Sequence, residues 1–341
     1  MHIIIKSFNR PYYLDRCLQS IYQYVTGDFT LRVLDDGTPP EYLKRIQEKF
    51  PAVQIALSPL YHDKVAAIER HVAGGKPFDQ KIIPFDFWVK EVRNCSDVFL
   101  LLEDDIWLTG LVSLTAFAAQ MRANHFAMVK LSWLGNERLN QGKRAEVAPI
   151  AGAEVEEMVP KLPWGTQAVF LNRFRVRSVL YRTGLLKRFF KSDFERQLPL
   201  YTLYAVASAF FDKAYWLYLW PAGQTEAKEY EQLHKAAAWW RRTGSRFAKS
   251  KQELTRTSFI TSATNTFEGV NLDPYVLNHV LNQAWLRGDL DPMQSFPKDF
   301  GYDYLQPIIE AAGDDRASYP GWVEWAKRFK AQYRSFGCIL D

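Results

Sequence analysis

The sequence predicts an α/β protein whose central sheet is mostly parallel. Short apolar strand patterns alternate with amphipathic helix patterns in the first third of the chain, which is typical of parallel strands joined by helices. The run VFLLL at residues 98–102 has no polar interruption, as expected of a central strand covered on both faces. At 341 residues, the chain is long enough for one large α/β domain with an appendage, or for two domains.

The first elements follow from periodicity and turn residues. Residues 3–5 are a β-branched run that predicts a strand, and Asn9 and Pro11 mark the turn after it. Apolar residues spaced three and four apart predict a helix over residues 12–24. Residues 31–34 predict the next strand, which ends in the turn DDGTPP.

The same patterns continue along the rest of the chain. They predict helices over residues 41–50, 111–121, 193–211, 275–286 and 322–333, and strands over residues 53–57, 127–131 and 215–220. Residues 135–161 lack periodicity, which indicates a mobile loop. The composition changes near residue 225, so we predict one domain over residues 1–225 and a mainly helical region over residues 226–341.

Composition limits the class of protein and its partners. Hydrophobic residues make up 48% and charged residues 24% of the chain, which is typical of a globular protein and argues against extensive disorder. The formal net charge of +5 suits phosphate-bearing partners and does not require nucleic acid, which we do not expect as a partner. The chain has no phosphate-loop, dinucleotide-binding or nucleophile-elbow motif, which disfavours nucleotide hydrolases, dehydrogenases and α/β-hydrolases.

Cysteine usage and the lack of long apolar runs predict the cellular location. Cys17, Cys95 and Cys338 are scattered without metal-ligand spacing, which favours a reducing compartment and a cytoplasmic location over a disulfide framework or a zinc site. Met1 is followed directly by HIIIKSFNRP, so we expect no signal peptide. The sequence contains no uninterrupted apolar run of about 18 residues, the length that a transmembrane helix needs, so we predict no transmembrane helix.

Three consecutive carboxylates, Glu103, Asp104 and Asp105, follow the apolar run. Because strand side chains alternate between faces, Glu103 and Asp105 would share a side. Crowded carboxylates repel one another, and a divalent cation bound through oxygen ligands is the usual remedy. In open α/β sheets, ligands also bind at this end of the strands. A solvated acidic turn without chemistry is the alternative that this stretch leaves open.

The segments IIIKSFNRP, LRVLDDGT and VFLLLEDDIWL, in this order, closely resemble those of GT-A glycosyltransferases, especially family 2-like members. Each segment alone is a weak signal, but three in order, each closing a predicted strand, are considerably more specific. The resemblance covers roughly residues 1–225 and does not extend into the C-terminal third.

The resemblance implies a GT-A (Rossmann-like) domain that transfers a sugar from a nucleotide-diphosphate donor, with a UDP-sugar expected, to a glycan, lipid-linked or other hydroxyl acceptor with inversion. The residues that it implies for binding the nucleotide sugar are Lys6, Ser7, Phe8, Asn9, Asp36 and Asp104. It also implies that Asp105, supported by Glu103, binds Mn²⁺ or Mg²⁺, which suits hard oxygen ligands.

The resemblance further implies a catalytic base at the start of a helix, with Asp193 as first candidate and Glu195 as second. Asp193 follows Ser192, so a helix-capping role is an open alternative. Trp164 and Gly165 resemble an acceptor-side element in which an indole stacks on a sugar, with simple packing as the alternative. The third metal ligand is not assigned, because no histidine stands where relatives place one.

The sequence also fits other functions. The basic segment at residues 173–191 predicts either peripheral membrane contact or, as the simpler alternative, a solvated helix face. A sugar-nucleotide nucleotidyltransferase would also join a nucleotide-binding sheet to a cation, although the glycine-rich loop it needs is replaced by KSFNRP. An inactive relative that binds nucleotide sugar or glycan is the third reading.

Overall fold

The computed structural model describes residues 1–80, 82–140, 142–160, 179–180, 182–183, 197–223 and 229–340. The strands are β1 His2–Ser7, β2 Val25–Thr26, β3 Thr30–Asp35, β4 Gln54–Leu57, β5 Val98–Glu103, β6 Ile106–Leu108, β7 Val112–Ser113, β8 Phe126–Lys130, β9 Gly142–Glu146, β10 Val155–Pro160, β11 Ala209–Asp212, β12 Arg246–Ser250 and β13 Thr255–Thr257. The helices are α1 Pro11–Tyr24, α2 Pro40–Lys49, α3 Tyr61–Val72, α4 Phe85–Arg93, α5 Leu114–Asn124, α6 Lys213–Leu219, α7 Glu229–Thr243, α8 Pro274–Arg287, α9 Tyr302–Ala312 and α10 Tyr319–Ser335.

Nine strands form the central sheet, in the order β4-β3-β1-β5-β11-β8-β12-β10-β9. Strands β4, β3, β1 and β5 are parallel neighbours, and β12 is parallel to β8. Strand β11 runs antiparallel to β5 and β8, and β9 and β10 form an antiparallel pair at the far edge. The predicted α/β fold with a mostly parallel central sheet is confirmed.

Both faces of the sheet are covered by apolar layers. Ile3, Ile5 and Leu100 belong to one buried cluster, whereas Ile4 and Leu101 belong to the cluster on the other face. This alternation follows from the period of two along a strand. It explains why the central strands are apolar at consecutive positions and why the sequence reveals them as short apolar runs.

Three predicted elements in the middle of the chain are wrong. Residues 215–220 lie mostly in helix α6 rather than in a strand, because the Asp212 side chain caps the helix by accepting from the Tyr215 N–H. Of the helix predicted over residues 193–211, the described part forms a 3₁₀ helix, Leu198–Leu203, and strand β11. The predicted loop at residues 135–161 contains the paired strands β9 and β10.

The region after residue 225 is helical in large part but also supplies strands. Strand β12 lies inside the central sheet between β8 and β10, and β13 pairs with β6 directly after the acidic residues. Helix α8 packs on α1, where the Tyr12 hydroxyl donates to Asn278 over 2.9 Å and the Trp285 indole donates to Asp15 over 2.9 Å. The C-terminal third therefore shares a core with the first strands.

Candidate functional site

Three neighbouring parallel strands, β3, β1 and β5, end at the same edge of the sheet. The register places Ser7 beside Asp35 and Lys6 beside Glu103. The polar residues that follow these strands are therefore brought together by backbone pairing, although they are far apart in the sequence.

The turn after β3 is built around Asp35. Its carboxylate accepts from the Gly37 N–H over 3.0 Å, from the Thr38 N–H over 2.8 Å and from the Thr38 hydroxyl over 2.6 Å. Gly37 has a φ of +147°, and a β-carbon there would lie 3.0 Å from Phe8 and Lys64. Burial raises the pKa of Asp35 to about 6, and the bonds from Thr38 oppose that rise. Asp35 thus has a structural role and turns Asp36 toward the sheet edge.

Asp36 forms a small buried cluster with Ser58 and Lys64. The Ser58 hydroxyl donates to Asp36 over 2.6 Å, and the Lys64 ammonium donates to the second carboxylate oxygen. Lys64 also donates to the Ile82 carbonyl over 2.6 Å and lies 5.7 Å from the centroid of the Phe8 ring. Burial raises the pKa of Asp36, and Lys64 opposes the rise. These contacts fix one carboxylate next to one aromatic face.

The acidic cluster (Glu103, Asp104 and Asp105) is held by cations from the end of β1 and the turn after it. Arg10 donates to Asp104 with one guanidinium nitrogen and to Asp105 over 2.8 Å with another. Lys6 pairs with Glu103 over 2.7 Å. The Phe8 N–H donates to the second oxygen of Asp104 over 2.9 Å, which links this cluster to the Asp36 cluster. Charge-assisted bonds of this kind are among the stronger contacts in proteins.

The protonation equilibria of the acidic cluster reflect burial and pairing. Burial raises the pKa of Asp104 to about 7, and the Arg10 guanidinium opposes that rise. Burial by itself would lower the pKa of Arg10, but Asp104 and Asp105 outweigh it and raise that pKa. Burial likewise acts against ionised Glu103, yet Lys6 outweighs it, so the pKa of Glu103 is lowered. Three carboxylates and two cations give the acidic cluster one net negative charge when all are ionised.

The donor set of the acidic cluster fits a cation only if the ligand supplies part of the coordination. Among the described residues, no group of three or more His, Cys, Asp or Glu is placed to hold a metal ion. Both oxygens of Asp104 accept hydrogen bonds, whereas Asp105 and Glu103 each keep one oxygen that accepts from no other described residue. Mg²⁺ commonly binds through one or two carboxylates together with phosphate oxygens and water.

A cavity of about 680 Å³ opens beside the acidic cluster. Glu103 and Asp105 contribute to its wall, together with Lys130 from the end of β8. Aromatic side chains form much of the remaining surface, namely Trp133, Tyr201, Tyr204, Phe259, Phe329, Tyr333 and Phe336. Ligand pockets are commonly this large and mostly apolar, with a few polar groups that fix orientation.

Lys130 is a buried cation at the cavity without a charged partner among the described residues. Its ammonium donates to the carbonyl of Leu139 over 3.2 Å and to the carbonyl of Tyr201. Burial lowers the pKa of Lys130 to about 7. These bonds connect the 3₁₀ helix Glu137–Asn140, which contains Leu139, to the 3₁₀ helix that contains Tyr201.

Several of the residues predicted from the sequence lie together at this edge. Lys6, Phe8, Glu103, Asp104 and Asp105 are joined by direct contacts, and Asp36 lies in the neighbouring cluster that Phe8 touches.

Two other predicted binding residues are buried, namely Ser7 at the end of β1 and Asn9 in the turn after it. The Asn9 N–H donates to the Thr38 hydroxyl over 2.9 Å, and the Asn9 side-chain oxygen accepts from Asn282 over 3.1 Å. These bonds fix the turn that carries Phe8 and Arg10.

The remaining predicted residues lie outside the described part of the chain. They are Asp193, Glu195, Trp164 and Gly165, and their roles stay predictions.

Other residues of the site were not singled out from the sequence. Arg10 lies within the motif SFNRP, and an arginine beside a predicted acidic strand end is a signal that could have found it. Lys64 lies on the buried side of α3, where a lysine in an amphipathic pattern gives no distinct signal. Glu229 and Tyr333 come from the C-terminal third, and only the folded chain brings them to the cavity.

No family model matches the chain, and no curated protein matches it. Among solved structures, it is similar to a 1-349 fragment of S. aureus TarS, with 10% identity and a TM-score of 0.41 over 98% of this chain and 91% of that one. The same fragment in complex with UDP gives 12% identity and a TM-score of 0.40 over the same shares of the two chains. The longer S. aureus TarS gives 12% identity and a TM-score of 0.40, with 98% of this chain and 54% of that chain covered.

None of the helices in the described part of the chain combines the length and the apolar character needed to cross a bilayer. Peripheral membrane contact through the basic segment stays a prediction, since most of that segment lies outside the described residues.

Proposed function

We propose that this protein is a glycosyltransferase that moves a sugar from a nucleotide-diphosphate donor, with a UDP-sugar as first candidate, to an acceptor hydroxyl. One observation carries the proposal. Phe8 joins the Asp36 cluster to the acidic cluster at the carboxyl edge of parallel strands, and the acidic cluster opens into the cavity. A nucleoside, a diphosphate and a sugar require three adjacent subsites in this order. The resemblance of the three strand-end motifs to GT-A enzymes supports the same reading.

The nucleoside would bind beside Phe8, with Asp36 accepting a hydrogen bond from the ribose or the base. Ser58 and Lys64 already fix the Asp36 carboxylate, so little side-chain entropy remains to be lost on binding. The half-buried Phe8 ring offers an aromatic surface next to that carboxylate.

The diphosphate would bind at the acidic cluster together with Mn²⁺ or Mg²⁺. Asp105, supported by Glu103, would hold the cation, because each keeps an oxygen that accepts from no other described residue. When bound, the cation stabilises the negative charge that develops on the leaving nucleoside diphosphate. Arg10 keeps Asp104 and Asp105 in a fixed relative position.

Transfer requires a base for the acceptor, which can be a glycan or a lipid-linked saccharide. The base, Asp193 or Glu195 in our prediction, would take the proton of the attacking hydroxyl. The hydroxyl oxygen then bonds to the anomeric carbon as the bond from that carbon to the phosphate oxygen breaks, and the configuration inverts. Trp164 and Gly165 would contact the acceptor.

The test is turnover of nucleotide sugars. Purified protein is incubated with UDP-, GDP-, dTDP- and CMP-sugars plus Mn²⁺, and release of the free nucleotide is measured with and without saccharide acceptors. We expect one nucleotide class to be turned over, and Asp36→Ala and Asp193→Ala to lose most of the rate. Asp289→Ala, which changes an exposed carboxylate, is the control.

Three outcomes would change the assignment. Full turnover in Asp193→Ala would remove that residue as the base. Formation of a nucleotide sugar from a sugar phosphate and a nucleoside triphosphate would indicate a nucleotidyltransferase. Nucleotide binding without any turnover would indicate an inactive relative.

A further inference from the structure

Two elements of the C-terminal third complete the cavity wall. Helix α10 contributes Tyr333, and helix α7 contributes Glu229 as its first residue. Both lie in a region to which the sequence motifs assign no role, and both present polar atoms to the same cavity as Glu103 and Asp105.

The Tyr333 ring is held rigidly, whereas its hydroxyl is available to a ligand. The ring lies 4.8 Å from Phe259 in an edge-to-face contact, 5.2 Å from Phe329 and 6.1 Å from Phe336, measured between centroids. The hydroxyl makes no hydrogen bond to a described residue, and it is not sealed from solvent. Burial, followed by the field of Asp105, raises the pKa of Tyr333 to about 12, so the hydroxyl keeps its proton and can donate.

Glu229 offers the complementary acceptor. Among the described carboxylates that line the cavity, Glu103 pairs with Lys6 and Asp105 pairs with Arg10, whereas Glu229 has no cationic partner. Its side chain is exposed in part, and burial of the rest raises the pKa of Glu229. It accepts a hydrogen bond from the Tyr201 hydroxyl, which opposes that rise and orients the carboxylate. An ionised carboxylate has about four lone-pair sites, so several remain for a ligand.

A saccharide ring matches this arrangement. Its hydroxyls both donate and accept, and its C–H faces pack against aromatic rings, which are abundant in the cavity wall. Mostly apolar pockets commonly fix the orientation of a ligand with a small number of polar groups. Here the Tyr333 hydroxyl is a rigid donor and the Glu229 carboxylate is an oriented acceptor.

We propose that the Tyr333 hydroxyl and the Glu229 carboxylate bind hydroxyl groups of a saccharide in the cavity, so that the C-terminal third determines sugar specificity. This inference rests on the proposed function. The saccharide is either the sugar of the donor or that of the acceptor, and the two sources share the same hydroxyl chemistry.

The experiment uses Tyr333→Phe, which removes one oxygen, and Glu229→Gln, which keeps the shape of the side chain. Tyr319→Phe, at the start of the same helix and outside the cavity wall, is the matched control. Calorimetric titration with the free nucleoside diphosphate is compared with steady-state kinetics for donor hydrolysis and for transfer to saccharide acceptors. We expect the affinity for the free nucleotide to change less than about twofold and one saccharide-dependent KM to rise about tenfold or more in both variants.

The kinetic assays distinguish the donor sugar from the acceptor sugar as the bound saccharide. The nucleotide titration distinguishes failure of the saccharide subsite from failure of the proposed function. A higher KM in acceptor-free donor hydrolysis identifies the donor sugar, whereas a higher acceptor KM alone identifies the acceptor. Unchanged KM values in both variants, with normal melting temperatures, would overturn the saccharide subsite while leaving the transferase intact. A wild-type protein that binds no nucleotide would instead overturn the proposed function.

Discussion

The acidic cluster and the cavity beside it share Glu103 and Asp105 but differ in whether their charged and polar side chains have partners within the protein. In the acidic cluster, every carboxylate is paired with a cation from Lys6 or Arg10. In the rest of the cavity wall, Glu229 and Lys130 have no oppositely charged partner among the described residues. The Tyr333 hydroxyl makes no hydrogen bond to any described residue. The acidic cluster is therefore a prearranged support, whereas Glu229 and Tyr333 in the cavity wall can still form hydrogen bonds with a ligand.

The largest expected effect comes from breaking the paired region. Arg10→Met leaves Asp104 and Asp105 buried without their guanidinium, so we expect the free energy of unfolding to fall by about 3–5 kcal/mol. Urea denaturation at pH 7.5 measures it. Arg287→Met, which removes an exposed pair with Asp289, is the control and should leave stability nearly unchanged. Equal effects of the two substitutions would show that the pairing of the cluster does not matter for stability.

A pH series tests the buried cation of the cavity. The pKa of Lys130 is lowered to about 7 in the folded protein, below the value of about 10.4 expected in the unfolded chain. Between these two pH values the unfolded state binds more protons than the folded state. The contribution of Lys130 to the free energy of unfolding therefore rises with pH, by about 2–4 kcal/mol from pH 7 to 10.

In Lys130→Met this rise should disappear, whereas Lys251→Met, which changes a more exposed lysine, should retain it. Urea midpoints at pH 7, 8.5 and 10 give the comparison. If the urea midpoint changes equally with pH in Lys130→Met and in the wild type, the pKa of Lys130 is not lowered in the folded protein.

Tyr13 and Tyr333 allow a comparison between a hydroxyl that is hydrogen-bonded within the protein and one that is not. The Tyr13 hydroxyl donates to Asp299 over 2.8 Å and lies 2.6 Å from the Ser258 hydroxyl in a buried site. Tyr13→Phe leaves these partners unsatisfied, so we expect a loss of about 1–3 kcal/mol in the free energy of unfolding. A loss no larger than that of an exposed tyrosine would contradict the hydrogen-bond assignment.

Tyr333→Phe should have the smallest effect on stability. Its hydroxyl has no described partner in the folded protein, so the change should stay within about 0.5 kcal/mol. Thermal and urea unfolding beside Tyr13→Phe measure the difference. A loss as large as that of Tyr13→Phe would place the Tyr333 hydroxyl in the structural framework and remove it from ligand binding.

The first half of the fold was predictable because local patterns agree with tertiary burial. Continuous apolar runs gave β1, β3 and β5, and the polar residues after them identify the edge of the sheet. The strand predicted at residues 215–220 failed because alternation of apolar residues over a short run also fits one buried face of a short helix, here capped by Asp212.

The site was predictable where a motif is contiguous and was missed where it is assembled by folding. Glu103, Asp104 and Asp105 stand together in the sequence, whereas Arg10 reaches two of them across more than ninety positions. Strand pairing, which periodicity does not specify, creates that contact. Tyr333 and Glu229 reach the cavity because helices α10 and α7 belong to the apolar layers that cover the two faces of the sheet, and no local pattern specifies this packing.

Nucleotide binding at the joined clusters is tested most directly by a thermal-shift panel of UDP, GDP, dTDP and CMP, each with and without Mn²⁺. A ligand that binds only the folded state stabilises it by about 2.7 kcal/mol at a hundredfold excess over its dissociation constant. We expect one nucleoside diphosphate to raise the melting temperature, more strongly with Mn²⁺, and the additional Mn²⁺-dependent shift to be lost in Asp105→Ala but retained in Asp289→Ala. No shift with any nucleotide, or an equal Mn²⁺-dependent shift in Asp105→Ala, would contradict the proposed site.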